Sequence, residues 1–207
     1  MKVRNAVLAV ALVGATFAVT RAVYSQDGDG QQPGMPTAEQ VKAMAELAAP
    51  GEEHAKLASL VGTWDTEMTC EMGGQPMTSR GTMTTEALLG GRVLLSRFSG
   101  DMGGTPFEGV ELKGYDNQKK QHWSVWSDSM GTGYLPLAGR RGEDGSVAYT
   151  SEPFDCPMNG PCTMEIVTRT VDADHVEAEM VMKPEGGPAQ RSTLRYTRRE
   201  MVVKPGR

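Results

Sequence analysis

The run Gln121-His122-Trp123-Ser124-Val125-Trp126-Ser127-Asp128 holds the densest set of chemically capable side chains in the sequence. In an extended strand side chains alternate between faces, so His122, Ser124, Trp126 and Asp128 share one side and Trp123, Val125 and Ser127 the other. Were the first side to face inward, an imidazole, a hydroxyl, an indole and a carboxylate would form the polar floor of a ligand pocket. Were the second to do so, Trp123 and Val125 would be core and the His122 face would meet solvent. An enzyme built here would use Asp128 or Glu108 as general base with His122 as acid partner. That chemistry needs two groups within hydrogen-bond reach and with tuned pKa values, which spacing alone does not supply.

Other chemistries find less support. There is no Ser or Cys nucleophile motif, nucleotide-binding glycine fingerprint or P-loop, and the Gly-Gly pairs at 73–74, 90–91, 103–104 and 186–187 read as turns. His54, His122 and His175 are far apart and none belongs to a metal-ligand spacing, so no metal and no cofactor is expected. A haem held by His122 or His175 is the remaining cofactor alternative. The 14 methionines include Met68 with Met72 and Met180 with Met182 in alternation, which suits an adaptable apolar pocket or plain core filling. Met180-Val181-Met182 alone is too little for copper.

The elements that must position these groups begin after a leader. Lys2 and Arg4 precede an apolar run from Ala6 to Val19 and small residues near a cut after Ser25, the pattern of a secretory signal peptide over residues 1–25. A retained anchor is the alternative. Cleavage removes Lys2, Arg4 and Arg21 and no acidic residue, making a chain of net charge −5 more acidic still. Such a chain suits an exported, periplasmic or secreted protein and disfavours nucleic acid and anionic membrane as partners. Of three cysteines, Cys156 and Cys162 flank an Asn-Gly turn and are the natural disulfide couple, leaving Cys70 as a small apolar filler.

Residues 26–36 are polar and Gly/Pro-rich, a flexible linker. Thr37 and Gln40 form a capping-box pattern opening a helical cap over 37–59, with a second short helix from Glu52 to Ser59 that turns Leu57 and Leu60 toward the core. From Trp64 onward the pattern becomes alternating: Trp64, Thr66, Met68, Cys70 and Met72 take one face, and Asp65, Glu67, Thr69 and Glu71 the other. Further runs cover 79–89, 92–99, 107–115, 122–128, 132–137, 146–151, 163–171, 175–182 and 190–199, with a tail at 200–207. Ten short strands without βαβ alternation predict an all-β antiparallel up-and-down barrel over 60–199, closed so that no sheet edge is exposed.

Leu60-Val61-Gly62-Thr63-Trp64-Asp65, Leu89-Gly90-Gly91-Arg92, Pro106-Phe107-Glu108-Gly109, Gly114-Tyr115-Asp116-Asn117 and Trp126-x-Asp128 fall in an order that resembles a bacterial domain-of-unknown-function family regarded as calycin-like, or lipocalin-like, over about residues 50–199. The resemblance implies a calycin-like barrel and brings no activity, cofactor or catalytic residue with it. It also implies, together with the inward parity of Leu194, Tyr196 and Arg198, that Arg198 stacks on Trp64 at the closed end as a structural pair. The resulting expectation is an exported barrel binding a small apolar or amphipathic molecule through His122, Ser124, Trp126 and Asp128. The alternatives are an enzyme in the same cavity and a structural or protein-binding barrel with a filled interior.

Overall fold

A computed structural model describes residues 36–72, 75–156 and 159–200. The predicted signal peptide, nearly all of the linker and most of the C-terminal tail lie outside the described residues. The chain divides into two compact units, Met1–Met44 and Ala45–Arg207. In the first, the described residues 36–44 open helix α1 (Ala38–Ala48). The Thr37 N–H donates to Gln40 Oε1 at 2.8 Å and the Gln40 N–H to Thr37 Oγ1 at 3.2 Å, the reciprocal capping box that satisfies two free amides of the first turn.

The second unit completes α1, adds the short helix α2 (Glu52–Ala58), and contains strands β1 (Gly62–Met72), β2 (Gln75–Leu88), β3 (Val93–Met102), β4 (Thr105–Asp116), β5 (Gln121–Asp128), β6 (Leu135–Arg141), β7 (Val147–Ser151), β8 (Phe154–Cys156), β9 (Gly160–Thr170), β10 (His175–Pro184) and β11 (Gln190–Arg198). All pairings are antiparallel. Sequential neighbours pair throughout except at β8, a three-residue flap on β9, so that β7 pairs with β9 directly. The β1–β11 ladder, in register Trp64↔Arg198 to Cys70↔Ser192, closes a ten-stranded barrel among the described residues. Among the departures from the sequence reading, β2 begins at Gln75 rather than Ser79, β6 spans Leu135–Arg141 rather than 132–137, and β8 is additional.

The motif residues fix the ends of this barrel. The last carbonyls of α1 have no partners within the helix. Arg92 Nε donates to the Ala48 carbonyl, and Asn117 Nδ2 to those of Leu47 and Ala49, each at 2.8 Å. Asp116 Oδ1 accepts the Gln118 and Lys119 amides and closes the β4–β5 turn. At β1, Gly62 has φ +138, and a Cβ there would lie 2.6 Å from an Arg198 nitrogen, so only glycine fits both backbone and neighbour. Trp64, buried, donates its indole N–H to the Leu60 carbonyl at 2.9 Å. The Arg198 guanidinium carbon lies 4.0 Å from the Trp64 ring centroid, and its nitrogens donate to the carbonyls of Ser59, Val61 and Ala173.

Inward positions carry Trp64, Leu94, Phe107, Leu137, Val147 and Tyr149 as buried core. Met68, Met83, Met164, Ile166, Met180 and Leu194 share the inward parity yet are only partly buried. A closed barrel whose inward side chains keep accessible surface is not filled to native packing density.

Candidate functional site

Helix α2 carries the group around which the site assembles. Its sequence Glu52-Glu53-His54-Ala55-Lys56-Leu57-Ala58 buries His54 and Leu57, three residues apart on one face, and so holds Glu53 over the barrel. Glu53 Oε2 accepts from His122 Nε2 and from Arg141 Nε, both at 2.9 Å, and Oε1 accepts from Lys56 Nζ at 2.9 Å. Burial alone would raise the Glu53 pKa. The hydrogen bonds and charges of Lys56 and Arg141 outweigh it and bring the pKa down to about 2.

His122 is 1% exposed. Burial lowers its pKa, Arg141 and Lys113 push the same way, and Glu53 offsets only part of this, so the imidazole is neutral at pH 7. An ionised carboxylate only accepts, so Nε2 carries the proton and Nδ1 keeps a lone pair, which has no hydrogen-bond partner among the described residues. Tyr115 and Tyr149 pack edge-on to the ring at 4.9 and 6.2 Å.

Deeper in the barrel, Glu111 and Lys113 stand two apart on β4 and point inward. Lys113 Nζ lies 2.8 Å from Glu111 Oε2, and Ser124 Oγ donates to Glu111 Oε1 at 2.7 Å. Burial opposes the Lys113 ammonium, but the Glu111 carboxylate overrides this and holds the pKa above the ordinary lysine value. Burial pushes Tyr196 up to about 12 and Tyr149 upward, with Lys113 opposing in both cases. Lys113 and Glu111 nevertheless keep 17% and 15% of their side-chain surface. Lys113, so desolvated and still touched by solvent, lines an interior space.

That space is a cavity of about 310 Å³ beneath α2. Leu57, Leu60 and Val147 form its apolar wall; Lys56, Lys113 and Arg141 bring three cations; Tyr149, Thr168, Thr170 and Ser59 bring hydroxyls. Lys56, Ser59, Gly145 and Thr170 are exposed and form its rim.

The four residues expected to contact a ligand are placed differently. His122 and Ser124 do face inward, at 1% and 2% exposure, but stand behind the cavity and hold Glu53 and Glu111. Trp126, half-buried, lies 6.4 Å from Phe107 in a stacked pair and fills the space above Gly109, where a Cβ would come within 2.2 Å of the indole. Its N–H donates to Asp128 Oδ2 at 2.7 Å, and Asp128 Oδ1 accepts the Met130 amide. None of the four lines the cavity. The Asp128/His122 acid–base pair does not form: six residues of extended strand separate the two by about 20 Å.

Cys156 and Cys162 stand as unbridged thiols, as does Cys70. The β8–β9 register sets Cys156 opposite Gly160 and Cys162 opposite Phe154, which makes the two cysteines diagonal rather than facing neighbours. The disulfide expected from the sequence is not formed in this structure, which holds the two residues as neighbouring thiols. The thiols remain in contact, and burial followed by Cys156 raises the Cys162 pKa. Among the described residues no group of three or more His, Cys, Asp or Glu side chains converges as a metal site. Exposed His175 is held by Asp172.

The candidate site residues missed in the sequence are Glu53, Lys56, Lys113 and Arg141. The only signal for any of them was the inward parity that Lys113 shares with Phe107 and Tyr115.

No curated protein matches the chain in sequence. Among solved structures it resembles the crystal structure of Rv2717c from M. tuberculosis, at 13% identity and TM-score 0.52, over 73% of this chain and 100% of that one. It also matches a de novo designed fluorescence-activating β-barrel at 16% identity and TM-score 0.42, over 72% of this chain and 100% of the designed one. The likeness to Rv2717c is one of fold. The family described as "Protein of unknown function (DUF1579)" matches residues 49–198, and the chain belongs to that family.

Proposed function

We propose that this protein is an exported barrel that takes a small amphipathic molecule into the cavity beneath α2. The observation that carries the reading is the mixed cavity wall, in which the apolar Leu57, Leu60 and Val147 share the lining with Lys113, Arg141 and Tyr149. Its volume lies at the small end of the range for ligand pockets. The neighbouring inward methionines, including Met164, add adaptable apolar surface beside the floor. His122 and Ser124 act by fixing the carboxylates that hold the cations, not by touching the ligand.

The test is a fluorescence titration with the neutral probe N-phenyl-1-naphthylamine. Saturable 1:1 enhancement is expected, weakened about tenfold or more by a folded Thr168→Trp variant that fills the cavity. Absence of saturable binding, or equal affinity in that variant, overturns the reading.

A further inference from the structure

The cavity wall is unbalanced in charge. Among the described residues Lys56, Lys113 and Arg141 line it and no carboxylate does; of their partners, Glu52 is turned to solvent, and Glu53 and Glu111 are partly buried outside the lining. We propose, resting on the reading above, that the ligand is an organic anion whose acidic group sits on Lys113 and Arg141 while its apolar body lies against Leu57, Leu60 and Val147.

Counting donors supports the assignment. An ammonium has three N–H groups, and among the described residues Lys113 has Glu111 as its one ion-pair partner. Arg141 gives Nε to Glu53 and Nη1 to the Gly145 carbonyl, which leaves Nη2. A neutral apolar molecule filling this space would strip water from these donors and return no acceptor, which is unfavourable for charged groups. A carboxylate or sulfonate returns two or three acceptor oxygens, and the Tyr149 and Thr168 hydroxyls can complete its shell. The chain as a whole is acidic, so the attraction is local to the cavity and not an effect of net charge.

The fixed carboxylates also account for the specificity. Glu111 and Glu53 keep the two cations aimed, so the anion meets a preorganised pair of donors rather than mobile surface lysines.

A matched pair of probes tests this on the full chain: N-phenyl-1-naphthylamine and 1-anilinonaphthalene-8-sulfonate, which differ by one sulfonate. The sulfonate should bind about tenfold tighter or more, and only its affinity should fall as sodium chloride is raised. In a Lys113→Met/Glu111→Gln variant, which removes the cation without stranding a carboxylate, the sulfonate should lose about tenfold while the neutral probe changes less than about twofold. The salt series on the unmodified protein decides the matter should that variant not fold. Equal, salt-insensitive affinity for the two probes overturns the anion assignment and leaves the amphipathic-ligand reading intact. Saturable binding of neither probe overturns both.

Discussion

Replacing Glu53 by Gln removes the one carboxylate that His122, Arg141 and Lys56 share while keeping the side chain's shape. Its pKa falls from 4.5 to about 2 on folding. At about 1.4 kcal/mol per unit this corresponds to roughly 3 to 4 kcal/mol. The group sits at the barrel's end with 20% of its side chain exposed. Solvent and salt screen part of the interaction, so about 2 kcal/mol is the expected loss at pH 7. The pH dependence separates this from a packing effect. A carboxyl whose folded pKa is depressed stabilises the fold fully above its unfolded pKa, and the contribution is lost as pH falls from 4.5 toward 2, with less than half remaining at pH 3. His122 adds an earlier stage: its lowered pKa means that the neutral ring stabilises the fold above 6.5 and that this contribution drains away below that pH. In Glu53→Gln the His122 stage should grow, because the anion that favours the imidazolium is gone. Urea unfolding of both proteins from pH 7 to pH 3, followed by tryptophan fluorescence, measures each stage. No gap at pH 7, or a His122 stage no larger in Glu53→Gln than in the unmodified protein, refutes the account.

Trp64→Ala should cost about 3–5 kcal/mol as a buried large-to-small change, and Arg198→Ala less. The two should couple in a double-mutant cycle because the guanidinium lies on the indole, whereas Arg195, in an exposed pair with Glu177, should be nearly neutral on its own. Additive behaviour of Trp64 and Arg198 would contradict the stacking. For protein recovered from an oxidising compartment of its host, intact mass should place the N-terminus after Ser25. Thiol counting under denaturing, non-reducing conditions should find one free cysteine, the Cys156–Cys162 bridge contributing about 2 kcal/mol. Three thiols would show that the diagonal pair stays reduced.

The barrel was legible because its strands alternate and its turns are punctuated by glycine pairs. The Trp64–Arg198 stack could be read from inward parity once family resemblance suggested a closed end. Arg141 could not, because Gly139-Arg140-Arg141-Gly142 has the composition of a turn. The strand runs through it because Gly139 leaves room for the Tyr149 ring, which a Cβ would meet at 2.6 Å, so that glycine serves packing and not a bend. Glu53 was equally hidden. It lies on a seven-residue helix that reads as charged surface, and its partners are 69 and 88 residues away in sequence.

Strand β4 shows where local pattern and function part. By hydrophobicity alone Val110 and Leu112 would face inward and Glu111 and Lys113 outward. The opposite holds, with both apolar residues exposed. The register is dictated by its flanks: Phe107 is buried on the same face, Gly109 must lie beneath Trp126, and Tyr115 must reach His54 and His122. A buried ion pair is a weak source of stability, and apolar residues of similar volume in its place are often neutral or stabilising. Glu111 and Lys113 are therefore poorly accounted for as packing. They fit the proposed chemistry: a lysine kept charged inside a barrel by its own carboxylate, with N–H groups left over at a cavity wall, is the arrangement the proposed ligand would use. Violations of local pattern of this kind concentrate at functional sites, and this strand contributes the cation on which the proposed anion rests.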